Sequence, residues 1–485
     1  MTKLEKANQY QEENRIDVSE KPVFHFTPPI GWMNDPNGFS IYQDKIHLFY
    51  QYHPYSDVWG PMHWGHSVSD DFLKWQELPV ALAPDKDFDF AGCFSGSAIE
   101  TPEGHVLVYT GVQETVEEGG TKGVIQHQCL AIGDGIRYEK VDDNPVISGE
   151  QLPEGFSVED FRDPKIWKED ETYYLVAGNK NEQQNGQVVL FQSENLRTWT
   201  YVSVLADNQG KYGMMWECPD FFSLNDKYVL IVSPQNMQAD GKEFYDGNQS
   251  IAMIGNYDRR NCRLLEEQVL SLDYGTDFYA PQTMETQDGR RIMIAWMQSW
   301  EMNIKPAKQK WNGMMTIPRE LEIRNGKLYQ NPVRELEKYR MEPVIYRGKE
   351  LSGACTIPGV SGRVLDLSIE LQGGDYETFT IQFAKNEKYC SKVCYDRSAG
   401  IIEFDRTDSG ISRDALCRRE IKIKNPDKIL KLRMILDKFS MELFINDGVQ
   451  ALTSIFYTPP EAEEIVFICD GTACVNIEKY MVMLD

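Results

Sequence analysis

Positive charge is the first thing this sequence is short of. Its 485 residues carry 50 Lys and Arg against 75 Asp and Glu, a formal net charge of −25 at pH 7. No basic stripe is present to neutralise phosphates, which excludes nucleic acid as a partner, and the pair Arg418-Arg419 is too small to change that. The same field repels anionic small molecules, so a phosphorylated sugar would need a local basic patch. Long apolar runs are missing too. None approaches a membrane span, so no membrane partner is expected. The opening MTKLEKANQYQEENR is polar throughout, without the apolar core of an export signal, and a cytoplasmic location is the expectation. Cysteine occurs 10 times but never as C-x-x-C, and all 7 His lie at or before His127, so no zinc-ligand spacing exists. Reduced structural thiols fit best. His63 and His66 of HWGH read as packing or substrate-side polar groups rather than metal ligands.

Helical periodicity is scarce as well. Short aromatic and β-branched runs recur between turn signals, the all-β pattern, and aromatics reach 12%. One unit repeats: a polar or acidic residue, often a proline, an apolar strand, a polar turn and a second strand. Its copies are DPNGFSIYQDKIHLFYQ (35–51), CFSGSAIETPEGHVLVYTG (93–111), RDPKIWKEDETYYLVAG (162–178), ECPDFFSLNDKYVLIVS (217–233) and YAPQTMETQDGRRIMIAW (279–296). Residues between the copies, such as GQVVLFQS, can supply two further strands each. Four strands per unit, repeated radially five times, predict a five-bladed β-propeller over 1–335.

Beyond Leu336 the repeat stops. NPVRELEKYR (331–340) has the charge pattern of a short connecting helix, placed over 336–341. Alternating strands such as TFTIQFAK, LKLRMILD and FSMELFIND then follow, with no clustering of carboxylates. They predict a C-terminal β-sandwich over 342–485 of ancillary role.

Three of the five copies carry a carboxylate at their entry: Asp35, Asp163 and Glu217. Ring closure would gather them at one end of the axial channel. Proline follows Asp35 and Asp163 directly and favours extended geometry before it, whereas Cys218 separates Glu217 from its proline. NDPNG, RDP or ECPD alone reads as a turn or surface tripeptide; their recurrence at repeat positions points to a site. Paired carboxylates near aromatic rings are what glycosidic cleavage needs: one ionised to attack or stabilise the anomeric carbon, one protonated to release the leaving oxygen. A third could hold sugar hydroxyls.

WMNDPNG (32–38), FSGS (94–97), FRDP (161–164), WECPD (216–220), DFYAPQ (277–282) and WNGMMTIPRE (311–320) resemble, in order, the signature blocks of glycoside hydrolase family 32, and SMELFINDG resembles its sandwich-domain strand. The family comprises invertases, sucrose-6-phosphate hydrolases, inulinases and levanases. The resemblance implies retaining cleavage of terminal β-fructofuranosides, most simply sucrose or sucrose 6-phosphate. Asp35 would be the nucleophile, Glu217 the acid/base and Asp163 the transition-state stabiliser. Asn34, Gln51, Ser95 and Arg162 would contribute hydrogen bonds. Trp32, Trp59, Phe94 and Trp300 would form apolar walls, with Tyr279 near Glu217. No metal or cofactor is expected, because protonation and carboxylate attack suffice. The partner is a small sugar, and oligomeric state is not legible. Fructosyl transfer, exo-hydrolysis of short fructo-oligosaccharides and non-catalytic fructan binding are the alternatives. Lys122, Lys180 and Lys211 lie near predicted loops where a phosphate could be met.

Overall fold

The computed structural model describes residues 1–116, 122–302, 304–306, 308–410, 415–424 and 429–484. Each repeat folds as a hairpin and recruits outer strands into an antiparallel sheet, giving five blades. The innermost strands are Gly31–Tyr42, Gly92–Thr101, Phe161–Glu169, Trp216–Leu224 and Tyr279–Glu285. They touch one another in sequence, and the fifth touches the first, so the ring is closed.

The second strand of each blade is nearly continuously apolar because a neighbouring blade covers each face. In Thr172–Lys180, Leu175 and Ala177 pack with Val106 and Val108 of the second blade, while Val176 packs with Trp216 and Leu230 of the fourth. Burial on both sides keeps such a strand in register, since a one-residue slip would exchange the two faces.

Ring closure uses WNGMM. Trp311–Asn312 pairs in parallel with Gly31 and Trp32, and Met315 N donates to Phe26 O at 2.9 Å. Gly313 sits at φ +95, and a Cβ there would lie 2.0 Å from Met33 O, so the lacing requires glycine.

The sandwich grows from one hydrogen-bonded ladder. Its last strand, Glu464–Val482, carries Gly471 at φ +101; residues before it pair with Thr378–Lys385 and residues after it with Leu365–Gly374. Arg340–Cys355 runs along both halves. The layers enclose Ile381, Phe383, Phe404 and Phe467 against Leu367, Ile369, Leu432 and Val475. The connecting segment is a 3-10 helix at Arg334–Tyr339, and Arg340 is already strand. This differs from the helix expected at 336–341. Arg290 holds Glu335 at 2.8 Å and Glu320 holds Arg334 at 2.7 Å, which ties the turn to the fifth blade.

A helix at Lys3–Glu13 went unseen in the sequence. It is capped reciprocally by Thr2 and Glu5, and only Ala7 and Gln11 are buried, so no apolar stripe marks it. It shields the outer strand of the first blade, where Val80 N donates to Asn8 Oδ1 at 2.7 Å.

Between the first two blades lies a buried histidine cluster. His47 Nδ1 and His66 Nε2 are 3.0 Å apart, and His105 reaches Tyr138 OH at 2.8 Å. Burial holds His47 down to about 4, His105 to about 3 and His66 well below its ordinary value. The folded state therefore prefers neutral rings. Their contribution is complete above the unfolded value near 6.5 and is lost as pH falls toward 4, by up to about 3 kcal/mol for each of His47 and His105. Urea midpoints measured from pH 7 to 4 should fall steeply, and His47→Gln should flatten that fall.

Candidate active site

The register of the innermost strands decides which side chains reach the axis. Each strand is interrupted by an irregularity at the same end: Met33/Pro36, Phe94/Gly96, Arg162/Lys165, Glu217/Asp220 and Tyr279/Gln282. Such bulges re-aim side chains. Asp163, Cys218 and Ala280 each precede a proline, yet they have φ of 64, 48 and 51. Proline's usual pressure toward extended geometry is thus overridden by the bulge, at a cost of about 1–3 kcal/mol per residue. Asp163 is held in this state by donating its N–H to Thr110 Oγ1 at 2.9 Å.

The bulges also correct the repeat alignment. Glu217 pairs with Ser233, at the level where Arg162 pairs with Gly178 and Tyr279 with Trp296. Its register equivalents are therefore Arg162 and Tyr279, and the equivalent of Asp163 is Cys218. This explains how Glu217 is gripped. Arg162 Nε and Nη2 both donate to Glu217 Oε1 at 3.1 Å, and Tyr279 OH donates to Oε2 at 2.6 Å. Flanking blades hold the carboxyl group from two sides.

Asp35 accepts from Ser95 Oγ at 2.7 Å on Oδ2 and from Asn34 Nδ2 at 3.0 Å on Oδ1. Trp32 Nε1 donates to Asn34 Oδ1 at 2.7 Å, so Trp32 orients the amide that orients Asp35. Asp163 Oδ2 accepts from Cys218 N at 2.9 Å, and Cys218 Sγ lies 3.6 Å from Oδ2 of both aspartates. The thiol is the bridge between the two carboxyl groups.

Burial pushes Asp35 up to about 6, with Ser95 pulling the other way and the Glu217 charge adding to the rise. Burial likewise pushes Asp163 up to about 7 against the pull of Arg162, with Glu217 and Asp35 reinforcing it. Asp35 and Asp163 face each other across the Cys218 thiol, and burial keeps protons on this pair toward neutral pH.

These groups open into a cavity of about 630 Å³ lined by Asn34, Asp35, Gln51, Trp59, Phe94, Ser95, Arg162, Asp163, Glu217 and Trp300, together with Val124, Gln126, Glu159, Asp160, Gln235, Asn236 and Asn248. Trp59 is 48% exposed and Trp300 38%, so both stand at the mouth. Trp32 and Tyr279, expected as a wall and a neighbour, lie behind the lining and act through Asn34 and Glu217. Gln51 donates to Cys93 O at 2.9 Å. Residues not anticipated are Cys218, visible within WECPD, and Asp160, which binds Arg162 Nη1 at 2.9 Å one position before FRDP. Gln126, Glu159, Gln235, Asn236 and Asn248 belong to no motif.

A second cavity of about 600 Å³ opens at the opposite end of the axis, lined by Lys165, Thr283 and Arg291 among others. Lys165 pairs with Asp220 at 3.0 Å and Gln282 donates to Gly96 O at 2.9 Å between the two mouths. Asp35, Asp163 and Glu217 line the first mouth and not the second. Among the described residues no group of three or more His, Cys, Asp or Glu is placed to hold a metal ion, and no helix is long and apolar enough to cross a membrane.

Residues 25–332 match the Glycosyl hydrolases family 32 N-terminal domain and residues 335–481 its C-terminal domain. The chain is 38% identical over 458 residues to a sucrose-6-phosphate hydrolase of Escherichia coli, covering 94% of this chain and 93% of that one. It is also 38% identical over 463 residues to a raffinose invertase of Escherichia coli, with 94% and 93% covered. Among solved structures, a Bombyx mori GH32 beta-fructofuranosidase in complex with sucrose superposes with a TM-score of 0.85 at 31% identity, covering 99% of this chain and 98% of that one. The sucrose-6-phosphate hydrolase of Lactobacillus gasseri gives 0.86 at 27%, covering 99% and 96%. The ring of five blades, its acidic mouth and the paired domain matches lead to one conclusion: this chain belongs to glycosyl hydrolase family 32.

Proposed function

We propose that the chain is a retaining β-fructofuranosidase acting on sucrose or its 6-phosphate, with Asp35, Glu217 and Asp163 as its catalytic residues. The observation that carries this reading is the convergence of three carboxyl groups from three blades on one cavity, two of them bridged by Cys218 and the third gripped by Arg162 and Tyr279.

Asp35 Oδ attacks the anomeric carbon of the fructosyl unit as its bond to the leaving oxygen breaks. Glu217 delivers a proton to that oxygen, and the fructosyl group is left as an ester on Asp35. Water then enters from the vacated side and gives its proton to Glu217. Its oxygen bonds to the anomeric carbon as Asp35 departs, so the configuration is restored. Asp163, held by Cys218 N–H, accepts hydrogen bonds from fructosyl hydroxyls and strengthens them as positive charge develops. Phe94 offers an apolar face within the pocket and Trp59 and Trp300 offer theirs at its mouth. The chain's 10 cysteines, all unpaired, suit a reducing cytoplasm.

Sucrose should yield glucose and fructose, with β-fructofuranose the first anomer seen by carbon NMR. The α anomer appearing first would overturn the retaining reading. The pH profile follows from the raised carboxyl groups. Activity should climb as pH rises through about 6, where Asp35 ionises. Initial rates of kcat/KM from pH 4 to 9 check this acid limb. An acid limb near 4 would contradict the burial argument.

A further inference from the structure

Besides the catalytic carboxyl groups and the Arg162–Asp160 pair, the pocket is lined by neutral amides and by an acid, Glu159, that no ion pair among the described residues compensates. Gln126, Gln235, Asn236 and Asn248 line it, with Glu159 exposed at its edge. On another side of the rim, Glu301 accepts Asn248 N–H at 2.8 Å and adds a second carboxylate. The cations nearby are already committed. Arg162 is divided between Glu217 and Asp160, Lys180 is paired with Asp160 at 2.7 Å, and Lys305 is paired with Asp57 at 2.6 Å. Glu159 has no ion-pair partner among the described residues. Of the lysines that the sequence offered for a phosphate, Lys180 is thus engaged, Lys211 does not line the cavity, and the Lys122 side chain lies outside the described residues.

Amides donate and accept equally well to sugar hydroxyls and carry no charge to meet a phosphate. A phosphate near neutral pH brings about −1.5 to −2 charges, and here it would meet Glu159 and the catalytic carboxyl groups with no uncommitted cation among the described residues that line the cavity. Like-charge juxtaposition in a partly desolvated cleft costs binding and lowers the encounter rate.

We propose that Glu159 acts as a charge filter at the mouth, making the enzyme selective for leaving groups that are uncharged, so that sucrose is processed in preference to sucrose 6-phosphate. This rests on the β-fructofuranosidase reading, which leaves the two sugars as alternatives.

The test compares kcat/KM for sucrose and for sucrose 6-phosphate with wild type, Glu159→Gln and Glu159→Lys, each at low and high KCl. In wild type at low salt, sucrose should be favoured by about tenfold or more. Salt should shrink that ratio, because screening weakens charge repulsion and leaves steric fit unchanged. Glu159→Lys should shift the ratio toward the 6-phosphate by about tenfold, with Glu159→Gln in between. The ratio is the readout, so a loss common to both sugars does not enter. A wild-type preference for the 6-phosphate overturns the filter, as does a ratio indifferent to both salt and Glu159→Lys. Failure to cleave either sugar would instead overturn the underlying fructofuranosidase reading.

Discussion

Asp35→Asn should lower kcat on sucrose by at least about 10⁴-fold, since it removes the nucleophile and leaves only binding and proton donation. The substitution preserves shape and removes a buried charge; an amide oxygen at the place of Oδ2 still accepts from Ser95 Oγ, while its NH2 at the place of Oδ1 forfeits the bond from Asn34 Nδ2. Folding should not suffer. Burial raises Asp35 to about 6 in the folded chain, above the unfolded value near 3.9, so the carboxyl group opposes folding once it ionises. That opposition is absent well below pH 4 and complete above about 6. Thermal midpoints of Asp35→Asn at pH 8 should therefore equal or exceed those of wild type. A variant that keeps more than about 1% of kcat would remove Asp35 from the nucleophile's role.

The second large effect concerns the contact between propeller and sandwich. Arg319 of the fifth blade is fully buried and donates from Nε to Glu442 Oε2 at 2.9 Å and from Nη1 to Asp273 Oδ2 at 3.0 Å. His25, ahead of the first blade, spans Asp437 and Glu442 of the sandwich at 2.9 Å each. Arg406 of the sandwich reaches back to Asp277 of DFYAPQ at 2.5 Å. Breaking one partner of such a buried set leaves charges uncompensated. Glu442→Gln should cost about 3–5 kcal/mol and separate sandwich unfolding from propeller unfolding in urea.

His25 gives that contact a pH signature. Burial alone would lower it, but hydrogen bonds to Asp437 and Glu442 outweigh burial and hold it up at about 9. Its contribution is complete below the unfolded value near 6.5 and lost as pH rises through about 9, about 3 kcal/mol in all. Wild-type urea midpoints should fall between pH 7 and 9.5, and those of Glu442→Gln should fall less. An equal fall in both would detach the alkaline limb from His25.

The ring of blades was readable because a propeller repeats its constraints: each copy must supply an axial strand, a turn and a strand covered on both faces. The three acids were readable for the same reason. Their mutual arrangement was not, because it depends on bulges that proline spacing misrepresents. Asp163 is left-handed where Pro164 argues for extended backbone, and Glu217 is level with Arg162 rather than with Asp163. Trp32 was expected as an apolar wall; its indole N–H also donates to Asn34, a partner that sequence position alone does not reveal. The helix at Lys3–Glu13 stayed hidden because polar hydrogen bonds, rather than an apolar stripe, attach it. His25 lies more than 400 residues from both Asp437 and Glu442 in the chain, and no periodic signal joins them. The amide rim is made by side chains outside every repeat.

The central claim is that Asp35 becomes covalently bonded to fructose during turnover. Rapid acid quenching of enzyme saturated with sucrose, followed by peptide mass spectrometry, tests it directly. The account expects a fraction of the peptide containing Asp35 to carry one fructosyl residue as an ester, absent from Asp35→Asn. An ester on a different carboxylate, or no ester accompanied by first release of the α anomer, would contradict it.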